Sequence, residues 1–390
     1  MRVGIDAFAL GGRTGGIETY VRNLIQGLAT VDPGGDYVLL LNKPLSEDTI
    51  SAAAHMQRVV LRTHFPPVRV PFWHHGLTLV DWYPPTGATI LAPLRERIDI
   101  AHVQMGAPLL LPTRTVFSLH DVTFERYPQL FSPDFVTKLR ITIPLAVRRA
   151  AAVVTDSEFS KRDIVRRYCV PPEKVTVAPL AADGMFRPLH DEARLEQVRT
   201  LYSTGKSFIL YVGNLEPHKN LATLIKAYVR LRQAGVIRHK LVLAGRKIWF
   251  NDELFAVARA SGYMSDLVFT GHVSNEDVVA LYNAADLFVF PSLFEGFGLP
   301  PLEAMACGTP VISSNTSSLP EVVGDAAVTV DPLDIEALAS SIAAVLDNAE
   351  LRAQMSRRGL GRARTFSWET TAGIIKRVYE GVYEQDSIQA

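Results

Sequence analysis

The densest chemistry in this 390-residue chain lies in "FPSLFEGFGLPPLEAMACGTPVIS", Phe290 to Ser313, where Glu295 and Glu303 flank a turn broken by glycine and proline. Ionised carboxylates only accept hydrogen bonds, whereas Gly296, Phe297, Gly298 and Leu299, lying just ahead of a helix, offer a row of backbone N–H donors. Acceptors on either side of donors suit a ligand rich in hydroxyl groups, such as a sugar and a ribose, and do not suit a bare phosphate. Two carboxylates also fit a glycosidase acid/base pair, which requires a particular separation. Pro300 and Pro301 suit the first turn of a helix, and Gly308 followed by Pro310 ends it. Glu303 is therefore expected in the first helical turn, where the helix dipole favours a negative charge even without a ligand.

Two other turns carry candidate ligand contacts. In "LGGRTGGIETY", Gly15 and Gly16 open a helix after a strand, so their backbone N–H groups can meet an anion or simply make a tight turn. In "YVGNLEPHKNLATLIKAY", Gly213 ends a strand and Lys219 arrives just before a helix, where it either places a cation on a diphosphate or is a solvated lysine. His218 beside it is a phosphate donor or a surface histidine, and His120 in "VFSLHD" reads by itself as a strand-end histidine bonded to backbone.

These turns need strands and helices to hold them, and the pattern supplies both. "RVGID" and "YVLLLN" read as strands with a helix over 17–29 between them, a βαβ opening that continues through "IDIAHVQ", "RTVFSLHD", "AAVVTDS" and "KVTVAPLA". Alternation restarts at "FILYVGN" and runs through "HKLVLAG", "LVFTG" and "DLFVFPS" to a helix within 335–348. The expected organisation is one α/β domain over 1–185, a second over 186–368, and a helix and tail over 369–390 that returns to the first, with a charged joint near 184–206. Lys+Arg and Asp+Glu stand at 40 each, so no global field points to nucleic acid or to an anionic membrane. Two cysteines, Cys169 and Cys307, make neither a disulfide framework nor a thiolate metal site. With no secretory leader or bilayer-spanning run in the sequence, a protein of the cytoplasm is expected.

The order and wording of these segments resemble the retaining glycosyltransferases of family 4. The most specific element is the E-x7-E pattern "EGFGLPPLE", in the company of "GGIETY", "LHD", "TDSEFSK", "EPHKN" and "GHVSNEDVVALYNAADLFVFPS". The resemblance spans nearly the whole chain and implies the GT-B architecture, two Rossmann-like doubly wound domains facing a central cleft, with a nucleotide-diphosphate sugar as donor and no metal or other cofactor. It implies that Glu303 accepts from the ribose, that Glu295 and the N–H groups of Gly296 to Leu299 hold the donor sugar, and that Lys219 and the Gly16 loop take the diphosphate. His120 corresponds to the family histidine near the reacting centre, and the loop around Val273 to the base-side contact. Many relatives carry arginine where this chain has Asn214 and His218, so the diphosphate clamp is expected to rest on Lys219 with Arg246 or Lys247.

The wording "LEPHKN" and "SLHDVTFERYPQLFSPDF" is similar to bacterial mannosyltransferases of surface-polysaccharide assembly that use GDP-mannose, with a glycan or polyprenyl-linked acceptor. The aromatic stretch "RVPFWHHGLTLVDWYPP" is a candidate acceptor wall, or ordinary loop packing. "FVTKLRITIPLAVRRAAAVV", with Lys138, Arg140, Arg148 and Arg149, is a candidate for peripheral membrane contact or a core helix with a solvated face. A nucleotide-sugar 2-epimerase shares the architecture, and a sugar-nucleotide-binding subunit without turnover is a further alternative. A Rossmann dehydrogenase is disfavoured, since neither unit's first turn has GxGxxG with an acidic residue about 20 positions on.

Overall fold

The computed structural model describes residues 1–11, 15–41, 56–60, 96–104, 113–247 and 252–387. The chain forms two compact units, one from Met1–Leu180 with Trp368–Ala390 and one from Ala181–Ser367. In the first, the described strands β1 (Arg2–Asp6), β2 (Asp36–Leu41), β3 (Gln57–Val60), β4 (Ile100–Val103), β5 (Arg114–Ser118), β6 (Ala152–Thr155) and β7 (Val175–Val177) form one parallel sheet in the order β3-β2-β1-β4-β5-β6-β7. In the second, β8 (Phe208–Val212), β9 (Lys240–Ala244), β10 (Leu267–Gly271), β11 (Leu287–Phe290), β12 (Val311–Ser314) and β13 (Val328–Val330) are parallel in the order β10-β9-β8-β11-β12-β13. The central strands are buried on both faces, which is why "VLLL" and "LFVF" read as unbroken apolar runs.

Strand order reverses between β1 and β4 in the first unit and between β8 and β11 in the second. At such a switch point the two adjacent strand-end loops run to opposite faces of the sheet and open a crevice. Lys219 leaves by the loop after β8 and Glu295 by the loop after β11, so the second switch point carries both.

The last helix, Trp368–Ser387, belongs to the first unit. Its buried Trp368, Ala372, Ile375, Tyr379 and Val382 repeat at helical spacing and form one apolar face. That face lies so close to helix Gly16–Val31 that a Cβ on Gly27 would stand 2.7 Å from the Trp368 carbonyl oxygen and 2.9 Å from the Ala372 Cβ. Thr371 Oγ1 donates to the Pro179 carbonyl. The stretch read as a charged joint carries a helix of the second unit, Glu192–Leu201, capped by Asp191 Oδ1 accepting from Arg194 N at 3.0 Å. Leu195 and Val198 anchor it in that unit's core, and Arg194 pairs with Asp277 of helix Asn275–Ala284. The proposed acceptor wall over 69–85 lies outside the described residues.

Candidate active site

In the second unit the loops at the switch point are tied to each other. Leu293 N donates to the His218 carbonyl at 2.8 Å, and Ser292 Oγ donates to the same oxygen at 3.2 Å. Asn220, in the left-handed region at φ 57°, donates through Nδ2 to the Pro291 carbonyl at 3.2 Å and to the Pro332 carbonyl at 2.6 Å. These bonds fix Lys219 so that its Nζ meets Glu295 Oε1 at 2.7 Å and lies 5.5 Å from the Phe290 ring centroid. Both side chains are about seven-eighths buried, at 14% and 13% exposure, so this is a desolvated pair rather than a solvated lysine. His218 is likewise no surface histidine. It is buried at 8% exposure, with Nδ1 3.4 Å from Glu216 Oε2.

The turn after Glu295 is held from behind by "TSS". Ser317 Oγ accepts from Glu295 N at 3.1 Å, Ser318 Oγ donates to the carbonyls of Glu295 and Phe297 at 3.0 and 2.7 Å, and Thr316 Oγ1 donates to the Leu293 carbonyl at 3.2 Å. With its carbonyls bound from behind, the turn leaves the N–H groups of Phe297, Gly298 and Leu299 without an acceptor among the described residues. The Phe297 ring itself is buried edge-on against Phe366, with centroids 5.8 Å apart. Gly298 has φ 113°, a conformation strained for any side chain, and a Cβ there would stand 2.6 Å from Leu319 Cδ2.

Gly298 caps a helix that starts at Leu299, ahead of the prolines, and ends at Ala306. Glu303 is its fifth residue and lies beyond the first turn, contrary to the expectation from Pro300 and Pro301, because the left-handed glycine lets the helix begin one residue earlier. Its environment is therefore set by packing and not by the helix start. Burial pushes its carboxyl up to about 7, with the Tyr282 hydrogen bond at 3.1 Å pulling down and the Asp183 charge pushing up. Burial, and then the same carboxylate, lift the Cys307 thiol to about 12, which leaves that buried cysteine unreactive.

The loop after β9 runs beside the loop after β8: Leu215 N donates to the Arg246 carbonyl at 2.9 Å, and a Cβ on Gly245 would fall 1.8 Å from the Gly213 oxygen. Arg246 thus sits beside Asn214, whose Nδ2 donates to Glu216 Oε1 at 3.2 Å, and Arg246 has no carboxylate partner among the described residues. Val273 is buried in the unit's core at 6% exposure, so a ligand beside it meets backbone.

In the first unit, His120 lies two residues past β5. Its Nδ1 is 2.8 Å from Asp156 Oδ2, and its ring stands edge-on to Tyr20 at 4.6 Å. The bland reading, a histidine bonded to backbone, is thereby replaced by a His–Asp dyad. Burial alone would lower its pKa, but the charge and hydrogen bond of Asp156, with the charge of Asp121, raise it overall. Behind the ring, Tyr20 Oη and Ser118 Oγ are 2.9 Å apart, His102 Nε2 and Ser118 Oγ 2.7 Å, and His102 Nδ1 and Tyr379 Oη 2.5 Å. Burial, and then the neighbouring His120, hold His102 down at about 3, so it is a neutral link. Gly15, at φ 70°, and Gly16 begin helix Gly16–Val31, and a Cβ on either would meet nothing within 4 Å. Glu18 in the first turn accepts from Gly11 N at 2.9 Å and competes there with any bound anion.

Residues 14–183 match the family described as Glycosyltransferase Family 4, and residues 194–362 match Glycosyl transferases group 1. Over 279 residues the chain is 35% identical to the O-antigen chain mannosyltransferase B of Escherichia coli, covering 71% of this chain and 73% of that protein. The chain belongs to glycosyltransferase family 4. The glycosyltransferase is also 32% identical to the serotype-specific mannosyltransferase WbdA of Escherichia coli across 72% of its own length and 35% of WbdA. Among solved structures, Anabaena HepE in complex with UDP-glucose superposes with a TM-score of 0.75 over 97% of this chain and all of that one, at 20% identity. Two parallel-sheet α/β domains with such neighbours constitute the GT-B fold.

Reading the sequence of this glycosyltransferase missed Tyr282, Thr316 to Ser318, Asn220 and Tyr20, which act on the site through other residues. Asp156 and Asn220 stood in the quoted "TDSEFSK" and "EPHKN", so a search for partners of His120 and Lys219 had a signal to follow. Tyr282 stood in the quoted "GHVSNEDVVALYNAADLFVFPS" but its bond to Glu303 joins two helices, and the contacts of Thr316 to Ser318 cross from one strand-end loop to another, so neither pairing had a local signal.

Proposed function

We propose that this glycosyltransferase transfers a hexosyl unit, with retention of configuration, from a nucleotide-diphosphate sugar to a hydroxyl of a glycan or lipid-linked acceptor in surface-polysaccharide assembly. The observation that carries this reading is the second unit's switch point, where a buried Lys219–Glu295 pair and a Tyr282-bonded Glu303 flank N–H groups with no acceptor among the described residues. Glu303 accepts from the ribose. Glu295 and the turn Gly296 to Leu299 hold the transferred sugar, with Gly298 allowing close backbone approach. Lys219 and Arg246 meet the diphosphate, assisted by His218 and Asn214, so that its charge is answered by side chains rather than by a resident metal. Stabilising the leaving diphosphate is where such groups contribute most to rate.

In the first unit, His120, oriented by Asp156, serves the reacting sugar, and Gly15 and Gly16 offer N–H groups to a phosphate. GDP-mannose is the favoured donor, since mannosyltransferases are among the chain's relatives at 35% and 32% identity. The backbone at His272 and Val273 faces the base.

Among the described residues no helix is long and apolar enough to cross a membrane. Helix Pro133–Arg149 nonetheless exposes Ile141 and Leu145 at 51% and 42% beside basic residues, which supports contact of a cytoplasmic enzyme with the anionic inner leaflet carrying a lipid-linked acceptor.

A thermal-shift series with GDP-mannose, GDP, UDP-glucose and UDP tests the reading, because a ligand that binds only the folded state raises the melting temperature by mass action. GDP-mannose is expected to give the largest shift. A larger shift with UDP-glucose would overturn the donor, and no shift with any of the four would overturn the site.

A further inference from the structure

Just past the carboxyl ends of the adjacent strands β4 and β5, two residues carry buried side-chain atoms without a partner among the described residues. Gln104, one residue past β4, is 5% exposed, and among the described residues neither its Oε1 nor its Nε2 has a hydrogen-bond partner. The Nε2 of His120 is likewise buried without a partner among the described residues. Buried polar atoms in folded proteins are nearly always paired, so three unpaired atoms at one sheet edge call for a cause.

Their placement supplies one. In the β4–β5 pairing Val103 faces Phe117, so Gln104 continues the ladder opposite Ser118, two residues before His120. Side chains two apart on a strand share a face. His102 and Ser118, joined at 2.7 Å, mark that face, and Gln104 and His120 extend it to the carboxyl edge. β4 is also one of the two strands at the switch point, where a doubly wound sheet binds its ligand. The Gln104 backbone is held from the other switch strand, its N–H 3.5 Å from Asp6 Oδ2, so the residue is anchored while its carboxamide stays unbonded. A carboxamide offers one acceptor and two donors without charge. With Nδ1–H given to Asp156, His120 Nε2 meets a ligand as an acceptor when the ring is neutral and as a donor when it is protonated. An uncharged carboxamide and an imidazole nitrogen that can donate or accept suit sugar hydroxyl groups, which do both, better than a phosphate.

We infer that Gln104 is a substrate-binding residue whose carboxamide, together with His120 Nε2, takes the hydroxyl groups of a sugar in the first unit. The inference rests on the glycosyltransferase reading of the site. The sugar comes from one of two sources, the hexose of the donor or the acceptor glycan, and both present the same chemistry.

Gln104→Leu, of similar volume and without polar atoms, tests it. Binding of GDP and GDP-mannose is measured by titration calorimetry on the whole chain, and the KM of transfer to mannobiose by steady-state kinetics. If the donor sugar is the partner, GDP-mannose affinity falls by about tenfold while GDP affinity is unchanged; if the acceptor is the partner, both affinities hold and the KM for mannobiose rises by about tenfold. In either case the melting temperature of the free variant is unchanged or raised, because no protein hydrogen bond is lost. A lowered melting temperature with unchanged affinities and KM would show that Gln104 is structural and overturn the inference. Unchanged values throughout overturn it too. Absence of nucleotide-sugar binding in the unsubstituted protein would instead remove the reading of the whole site, and this inference with it.

Discussion

Replacing Glu303 with Gln separates what the carboxyl costs the free protein from what it gives the donor. Burial raises this group from 4.5 to about 7 in the folded chain. Between those values the folded unit holds more protons than the unfolded one. Stability from this source is full below pH 4.5, declines as pH rises through the window, and levels off above about 7. The interval corresponds to about 3 kcal/mol at most, and because the carboxyl keeps some contact with solvent, about 1–2 kcal/mol is the figure to expect. Gln keeps an oxygen for the Tyr282 hydroxyl and removes the charge. Glu303→Gln should therefore melt about 3–6 °C higher than the unsubstituted protein at pH 8, for a unit of this size, and at the same temperature at pH 4.5.

Donor binding runs the opposite way. Only the ionised carboxylate accepts from both ribose hydroxyls, and its fraction falls from about 0.9 at pH 8 to about 0.1 at pH 6, so the apparent Kd for GDP-mannose should rise about ninefold over that range. Glu303→Gln should bind weakly at both pH values, with a ratio near one. Calorimetric titration at pH 6, 7 and 8 with parallel scanning calorimetry reads both effects. A Kd that does not change between pH 6 and 8, or a variant that melts lower at pH 8, would refute a ribose-binding Glu303 held against its preferred ionisation.

Three further outcomes are expected. Lys219→Ala should cut transfer by roughly 100-fold or more and His218→Ala by less than about tenfold in the same kinetic assay, since only Lys219 places a cation against Glu295; equal small losses would end the clamp assignment. Gly298→Ala, forced to φ 113° with a Cβ 2.6 Å from Leu319, should destabilise the second unit by about 1–3 kcal/mol in chemical denaturation and weaken nucleotide-sugar binding with it. His102, held at about 3 by burial, takes up a proton on unfolding below its ordinary 6.5, so the first unit should lose about 1.4 kcal/mol per pH unit between pH 6 and 4, and His102→Gln should flatten that slope in pH-dependent melts.

Much of the architecture was legible because parallel strands buried on both faces announce themselves as short apolar runs, and the helices between them carry their own punctuation. Ser157 and Ser274 cap helices from one local residue each, accepting from Ser160 N at 3.1 Å and Asp277 N at 3.2 Å. The loop position of Glu295 was legible for the same reason, since the glycines and prolines that follow the run "LFVF" end its strand. What could not be read was pairing across the sheet. Glu295 and Lys219 are 76 residues apart and His120 and Asp156 are 36 apart, and each pair meets only because strand order brings their loops together. The start of the helix bearing Glu303 was misplaced because proline marks a helix beginning from sequence, whereas a left-handed glycine one residue earlier acts through a φ value that sequence does not display.

Several features that work against folding lie near the carboxyl edges of the two sheets. Gln104 and His120 hold buried atoms without partners among the described residues, Glu303 is kept from its preferred charge, and Gly298 and Ser317 sit at φ 113° and 57°. The opposite arrangement holds deeper in the first unit, where Tyr20, Ser118, His102 and Tyr379 form a chain of hydrogen bonds although all are buried. A chain shaped by stability alone would have removed the first set as readily as it satisfied the second. Pairing of these groups by a ligand returns the free energy that the empty site withholds, and that return appears as affinity. Neutral or apolar replacements of matched size at Gln104 and Glu303 should therefore strengthen the fold and weaken binding together. Substitutions within the buried network that ends at Tyr379 should weaken the fold first, with any loss of activity following from it.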